Sequence, residues 1–230
     1  MDLSVINQNH GSRYSLFNTD CVEFARGMPS ESVDFTIYSP PFSSLYTYSS
    51  SERDMGNCKS DDEFFIHFGY LIKEMYRTLR AGRLMAVHCM NLPSSKQNDG
   101  FIGVKDFRGD LIRAFQKEGF IFHSEVCIWK CPVVAMTRTK ALGLLHKTIV
   151  KDSSMSRMGI PDYLIVMRKP GDNTKPIKGA LEYYVGDDVP AGFAKNERGD
   201  GSLFWTVESE NATPIDIWQK YASPVWSDIN

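Results

Sequence analysis

The sequence has no apolar run approaching the roughly 18 residues of a membrane span, so no membrane segment is expected. It has no excess of positive charge: 26 Lys and Arg stand against 28 Asp and Glu, a net charge of −2. That excludes a histone-like or arm-like polyanion binder and leaves nucleic acid only a local patch. The start, MDLSVINQNHG, has neither the basic end nor the apolar stretch of a signal peptide. Repeats and low-complexity blocks are missing. Cysteine is sparse and odd in number, five with no CxxC pair, so reduced thiols of a cytoplasmic protein are expected in place of a disulfide framework. His123, Cys127 and Cys131 are spaced by four, but on a strand that spacing makes no ligand knuckle, and no metal site is expected. What is present is ample: 230 residues, 42% of them apolar, can bury a core without staples.

Along the chain, residues 14–17 predict a short strand and residues 21–28 a brief helix ended by Pro29 and Ser30. Residues 33–38 (VDFTIY) are nearly continuous in apolar character, as a strand covered on both faces would be. Residues 43–60 are rich in Ser and Tyr with no helical period, a loop of a length that is usually functional or mobile. Asp61, Asp62 and Glu63 open a long helix whose apolar stripe runs Phe64, Phe68, Leu71, Ile72, Met75, Leu79 and stops at Gly82. A buried strand (84–89), a helix (106–118), a strand (120–129), a basic irregular stretch (131–159) and a strand (163–167) follow. This alternation predicts an α/β fold with a largely parallel sheet over residues 1–170. Residues 171–230 turn polar and Gly-, Asp- and Asn-rich, as a peripheral or target-recognition segment would be.

The informative feature is a buried strand that stops at Ser39-Pro40-Pro41-Phe42. Open α/β sheets bind ligands at the carboxyl ends of their strands. Two prolines there remove both N–H donors and fix φ, which fixes the direction of the Ser39 and Pro40 carbonyls. A hydroxyl beside a rigid carbonyl makes a paired acceptor for an –NH2 group, and the ring of Phe42 offers a stacking face. Such a site suits a planar heterocycle with an exocyclic amine; the plainer reading is a Pro-Pro strand end.

The run NTDCVEFARGMPSESVDFTIYSPPFSSLYTY resembles the amino-methyltransferases of DNA, which methylate cytosine N4 or adenine N6. The strand LMAVHCMNLP and the segments IWKCP, RTKALGLLHK and SRMGIPDYLIVMRKPG match the same family in order, over about residues 14–171. The subclass is the one whose catalytic motif precedes the glycine motif of the cofactor. The resemblance implies a Rossmann-like sheet with helices on both faces and S-adenosyl-L-methionine as methyl donor. It implies that Ser39 and the Pro40 carbonyl, made rigid by Pro41, hold the target amine, and that Phe42 stacks on a flipped base. Asp20 and Cys21, with Ser39, would meet the cofactor, Asp20 accepting its adenine amine. Ser at the first motif position is commoner among the cytosine-N4 enzymes, which leans the target slightly that way.

One departure concerns the cofactor. The family's Phe-x-Gly-x-Gly turn is missing; Gly171, Gly186, Gly192, Gly199 and Gly201 lie in polar sequence with no buried strand before them. The expectation is therefore a truncated or split enzyme, its cofactor half on a complementing chain or reached through a homodimer. The alternatives are a non-catalytic DNA-binding fragment and a methyltransferase of a protein amide or another amine.

Residues 130–157 carry Lys130, Arg138, Lys140, Lys147, Lys151 and Arg157 against Asp152 alone, a local charge of +5. With His146 these are the expected contacts to duplex DNA phosphates in a loop over 130–160; the plain alternative is a solvated basic loop. His88 and Cys89 are expected in the pocket wall or the core, and Tyr46 and Tyr48 in a loop that closes over the base.

Overall fold

A computed structural model of the chain describes residues 5–139, 141–176, 193–197, 199, 203–207 and 222–227. The chain divides into two compact units, residues 1–174 with 225–230, and residues 175–224. The second contains an antiparallel pair, β9 (Phe193–Glu197) and β10 (Leu203–Val207).

The first unit begins with an antiparallel hairpin, β1 (Asn7–His10) and β2 (Ser15–Asn18). Helix α1 (Cys21–Gly27) follows, capped by Asp20, whose Oδ1 accepts from the backbone N–H of Val22 and Glu23. Then come β3 (Thr36–Tyr38), α2 (Asp61–Thr78), β4 (Leu84–Met90), and a small pair, β5 (Leu92–Ser94) and β6 (Gly103–Lys105), around α3 (Lys96–Asp99). Helix α4 (Phe107–Lys117), β7 (Ile121–Ile128), α5 (Pro132–Thr139), α6 (His146–Lys151), β8 (Asp162–Arg168) and β11 (Val225–Trp226) complete it.

The main sheet has the order β11-β7-β8-β4-β3. Strand β3 is parallel to β4 and β11 to β7, whereas β8 is antiparallel to both neighbours. The sheet is thus mixed where a largely parallel one was expected: the segment 129–161 returns the chain at the same end of the sheet at which β7 finishes, so β8 runs back antiparallel beside β7 with no crossover.

Helices α2 and α4 build the core against one face. Ser60 caps α2 by accepting from the Glu63 N–H, while the Glu63 carboxylate accepts from Lys59 N–H, a near capping box. The stripe Phe64, Phe68, Leu71 and Ile72 is buried with Phe107, Leu111 and Phe115 of α4, Met85, Val87 and Cys89 of β4, and Ile165 and Met167 of β8. Each of those large side chains contributes about 1.5–3 kcal/mol by leaving water.

Two sequence expectations are corrected here. The run 33–38 is not a strand covered on both faces: Thr36–Tyr38 forms the strand, last in the sheet among the described residues, Val33 makes a separate bridge to Leu79, and Phe35 and Ile37 are 52% and 63% exposed. A continuous apolar run cannot disclose whether its outer face has a cover. The stretch 131–159 is not irregular but contains α5, α6 and two short 3₁₀ turns.

Candidate functional site

Four chain segments converge at the carboxyl edge of the parallel strands: the end of β3, the end of β4, the residues after β7, and the start of the reversed β8. At the first, Tyr38 packs into the core side and Ser39 is exposed on the opposite face, with Pro40 buried behind it. Phe42 is half-buried, its ring 5.9 Å from that of His88 and 6.3 Å from Phe107. Its motif is locked from behind by Ser43, which is fully buried at φ +51° and donates its hydroxyl to Asp61 at the start of α2. A non-glycine residue in the left-handed region costs on the order of 1 kcal/mol and persists only where its surroundings hold it.

Ser39 Oγ lies 3.2 Å from His88 Nδ1 and 3.3 Å from the His88 carbonyl oxygen. His88 Nε2 is 2.9 Å from Asp162 Oδ2, and Lys130 Nζ is 2.6 Å from Asp162 Oδ1. Burial on its own would raise the Asp162 carboxyl, but the bonds from His88 and Lys130 outweigh it and hold that group below the usual carboxylate range. His88 is therefore a polar member of the site wall, tied to Ser39, whereas its neighbour Cys89 is fully buried in the core and pushed up to about 12 by burial.

Beside Tyr38 lies the start of α1: the Cys21 thiol is near enough for its charge to act on the Tyr38 phenol, which burial pushes above its ordinary range. Tyr38 Oη is buried with no hydrogen-bond partner among the described residues. Arg53, from the long loop, pairs with Glu23 of α1 and comes within 3.5 Å of Asp20 Oδ2. That loop is not unstructured. Asp54 accepts from Ser49 and from Gly56 N–H, and Asn57 Nδ2 donates to the carbonyls of Ser49 and Ser51. Gly56 is obligatory in that fold, since a Cβ there would sit 2.5 Å from the Tyr46 carbonyl oxygen. Tyr46 and Tyr48 are exposed, their rings 6.4 Å apart.

No family model matches the sequence, and no curated protein matches it. Solved structures do. TTHA0409 of Thermus thermophilus, provisionally assigned as a DNA modification methylase, superposes in its complex with S-adenosyl-L-methionine at a TM-score of 0.56 with 16% identity. The match covers 91% of this chain and 64% of that one. This chain has the Rossmann-like methyltransferase fold. A second structure of the same protein gives a TM-score of 0.55 at 16% identity over 91% and 65% of the two chains. The PvuII DNA methyltransferase, cytosine-N4-specific, gives 0.45 at 14% identity over 68% of this chain and 50% of that one, a weaker likeness on which nothing rests.

Within this fold, Ser39, Pro40, Pro41 and Phe42 stand together at the strand end, and Asp20 and Cys21 stand at the start of the adjoining α1. The basic residues are spread more widely. Arg138 on α5 and His146, Lys147 and Lys151 on α6 are exposed. Arg157 is half-buried and donates to the Met158 carbonyl, and Lys130 is turned to Asp162. Lys140, Gly186, Gly192 and Gly201 lie outside the described residues. Sequence reasoning missed Asp162 as a site residue, because only the reversed β8 brings it to His88. Among the described residues no cluster of three or more His, Cys, Asp or Glu is placed to hold a metal, and no helix is long and apolar enough to cross a membrane.

Proposed function

We propose that the chain is the catalytic part of a methyltransferase that places a methyl group on an exocyclic amine of a base in duplex DNA, cytosine N4 or adenine N6. The observation that carries this reading is the exposed Ser39 hydroxyl at the carboxyl end of β3, followed by two residues without N–H groups and by the half-buried ring of Phe42. A rigid hydroxyl and carbonyl pair holds the two hydrogens of an –NH2 group and orients its lone pair. The ring of Phe42, held against His88, is placed for a planar heterocycle.

The donor chemistry beside this site fits the adenosine end of S-adenosyl-L-methionine. Asp20 Oδ1 is used by the helix cap, while Oδ2 carries no backbone bond, and the Tyr38 hydroxyl beside Cys21 has no partner among the described residues. Asp20 and Cys21 would hold that end, and when bound the group supplies an electrophilic methyl. The basic side chains of Arg138, His146, Lys147 and Lys151 support a duplex partner through phosphate contacts. Strand β3 is last in the sheet among the described residues, which supports a further strand beside it, contributed by a longer form of the chain or by a complementing one.

The test is methyl transfer from S-adenosyl-L-methionine to unmethylated duplex DNA, with digested nucleosides identified by mass spectrometry. N4-methylcytosine or N6-methyladenine is expected; Ser39→Ala abolishes it while duplex binding persists. Full transfer by Ser39→Ala refutes the site, and transfer to glutamine-containing peptides alone refutes the DNA substrate.

A further inference from the structure

Ser39, His88, Asp162 and Lys130 form one continuous chain of hydrogen bonds across four chain segments. Its polarity is fixed from the inner end. Asp162 is buried, pairs with the Lys130 ammonium and acts as an acceptor only, so the proton between it and His88 sits on Nε2. Nδ1 of the neutral ring is then a lone pair facing Ser39. The other partner of Ser39 Oγ, the His88 carbonyl, is also an acceptor. In either rotamer the hydroxyl hydrogen points at His88, and both lone pairs of Oγ face outward. Pro40 and Pro41 offer no N–H beside Ser39, so this Ser-His-Asp set lacks the adjacent oxyanion donors of an acyl-transfer site. The site is built to accept hydrogen from its substrate.

We propose that His88 is the positioning residue that keeps Ser39 an acceptor toward the target amine, and that it takes the proton the amine loses. The inference rests on the methyltransferase reading above. As the N–C bond forms, the donor's C–S bond breaks and its electron pair stays on sulfur. The amine, now cationic, gives up an N–H proton to Ser39 Oγ, and the hydroxyl's own proton passes to His88 Nδ1. The imidazolium pairs with Asp162 and then releases its proton to water, so Ser39 ends as it began. The charged groups that reach His88 are Asp162 directly and Lys130 through it. Glu125 and Tyr163 alternate with this face and meet Arg108 on the other side of the sheet.

Two measurements on the 230-residue chain test this. Nitrogen-15 NMR of the histidines, with His88 assigned through His88→Asn, is expected to show the Nε2–H tautomer, and Asp162→Asn, which removes the carboxylate acceptor at Nε2, is expected to lose that single-tautomer signature. In methyl transfer, kcat is expected to carry an acid-side limb, because a lone pair at Nδ1 must be free to take the proton. His88→Asn, whose side-chain oxygen can stand near the Nδ1 position, removes the limb and lowers kcat roughly 100-fold with KM little changed, and His88→Ala falls further. An Nδ1–H tautomer, or an acid limb that survives in His88→Asn, overturns the proposal. No transfer at any pH by a chain that shows the Nε2–H tautomer and binds S-adenosyl-L-methionine overturns the methyltransferase reading and leaves the acceptor assignment standing.

Discussion

Arg77, in the last turn of α2, is the residue that pins α1 and therefore the Asp20 end of the site. Its Nη1 donates to the Met28 carbonyl at 2.8 Å and to Ser30 Oγ at 3.1 Å, its Nη2 to the Ala25 carbonyl at 2.8 Å, and its Nε to Glu74 at 2.8 Å. Helix α1 has only seven residues, too short to hold together alone, so its carboxyl end depends on these bonds. Arg77→Met keeps the apolar stem and removes every donor. A hydrogen bond to a charged group contributes about 1.5–3 kcal/mol net. The guanidinium is one-third exposed, and water replaces part of what is lost, so the two carbonyl bonds take the lower end, about 3 kcal/mol together. At about 1.4 kcal/mol per factor of ten, that is roughly a 100-fold rise in opening of α1. Amide hydrogen exchange reads it: residues 21–28 exchange on the order of 100-fold faster in the variant, while α4 stays protected. Arg77→Lys falls between, because an ammonium cannot fork to two carbonyls. Unchanged protection over residues 21–28, or an equal loss in α4, would refute the claim that this one side chain holds α1 as a local unit.

Two more predictions concern the core and the acid limit. Phe68 is fully buried, stacked 5.4 Å from Phe64 and edge-on to Phe115 at 5.9 Å; Phe68→Ala costs about 3–5 kcal/mol, read as a lower urea midpoint in the first unit, and a shift under about 1 kcal/mol would mean the cluster repacks. Asp162 titrates lower in the folded chain than in the unfolded one. Its contribution to stability is thus complete above the unfolded value of about 3.9 and is lost as pH falls through the folded value. Asp162→Asn should lower stability near neutral pH and flatten the acid-side loss, seen in urea midpoints across pH; an acid limb as steep as in the unaltered chain would contradict the assignment.

The parts of the fold legible in the sequence are those whose cause is local. Helix α2 carries its cap at Ser60, its acids and its four-residue stripe within one contiguous segment, and its bounds follow. Helix α4 announces itself by Asp106, which accepts from Gly109 N–H, and by Phe107, Leu111 and Phe115 on one face. Helix α6 has no side-chain cap at Leu145, so nothing marked its start. Helix α5 did carry a signal, Pro132 at its first position, where a missing N–H costs nothing. The edge position of β3 has no local signature, since exposure of Ile37 depends on what lies beside and above it in space.

The site divides along the same line. Ser39 to Phe42 was legible as a candidate because four adjacent residues make the rigid strand end by themselves. The partners of Ser39 were not, and strand parity shows why. Tyr38 pairs with Val87, so Ser39 and His88 fall together on the face opposite the core. In the antiparallel register His88 lies opposite Leu164 and Met90 opposite Asp162, which puts Asp162 two residues along on that same face. A parallel β8 would have carried its first residue to the far end of the sheet, away from Ser39, and no hydrogen bond to His88 would form. The direction of one strand, fixed by tertiary pairing and invisible in its own seven residues, decides whether Ser39 stands alone at a strand end or at the head of a hydrogen-bonded chain through His88 to Asp162.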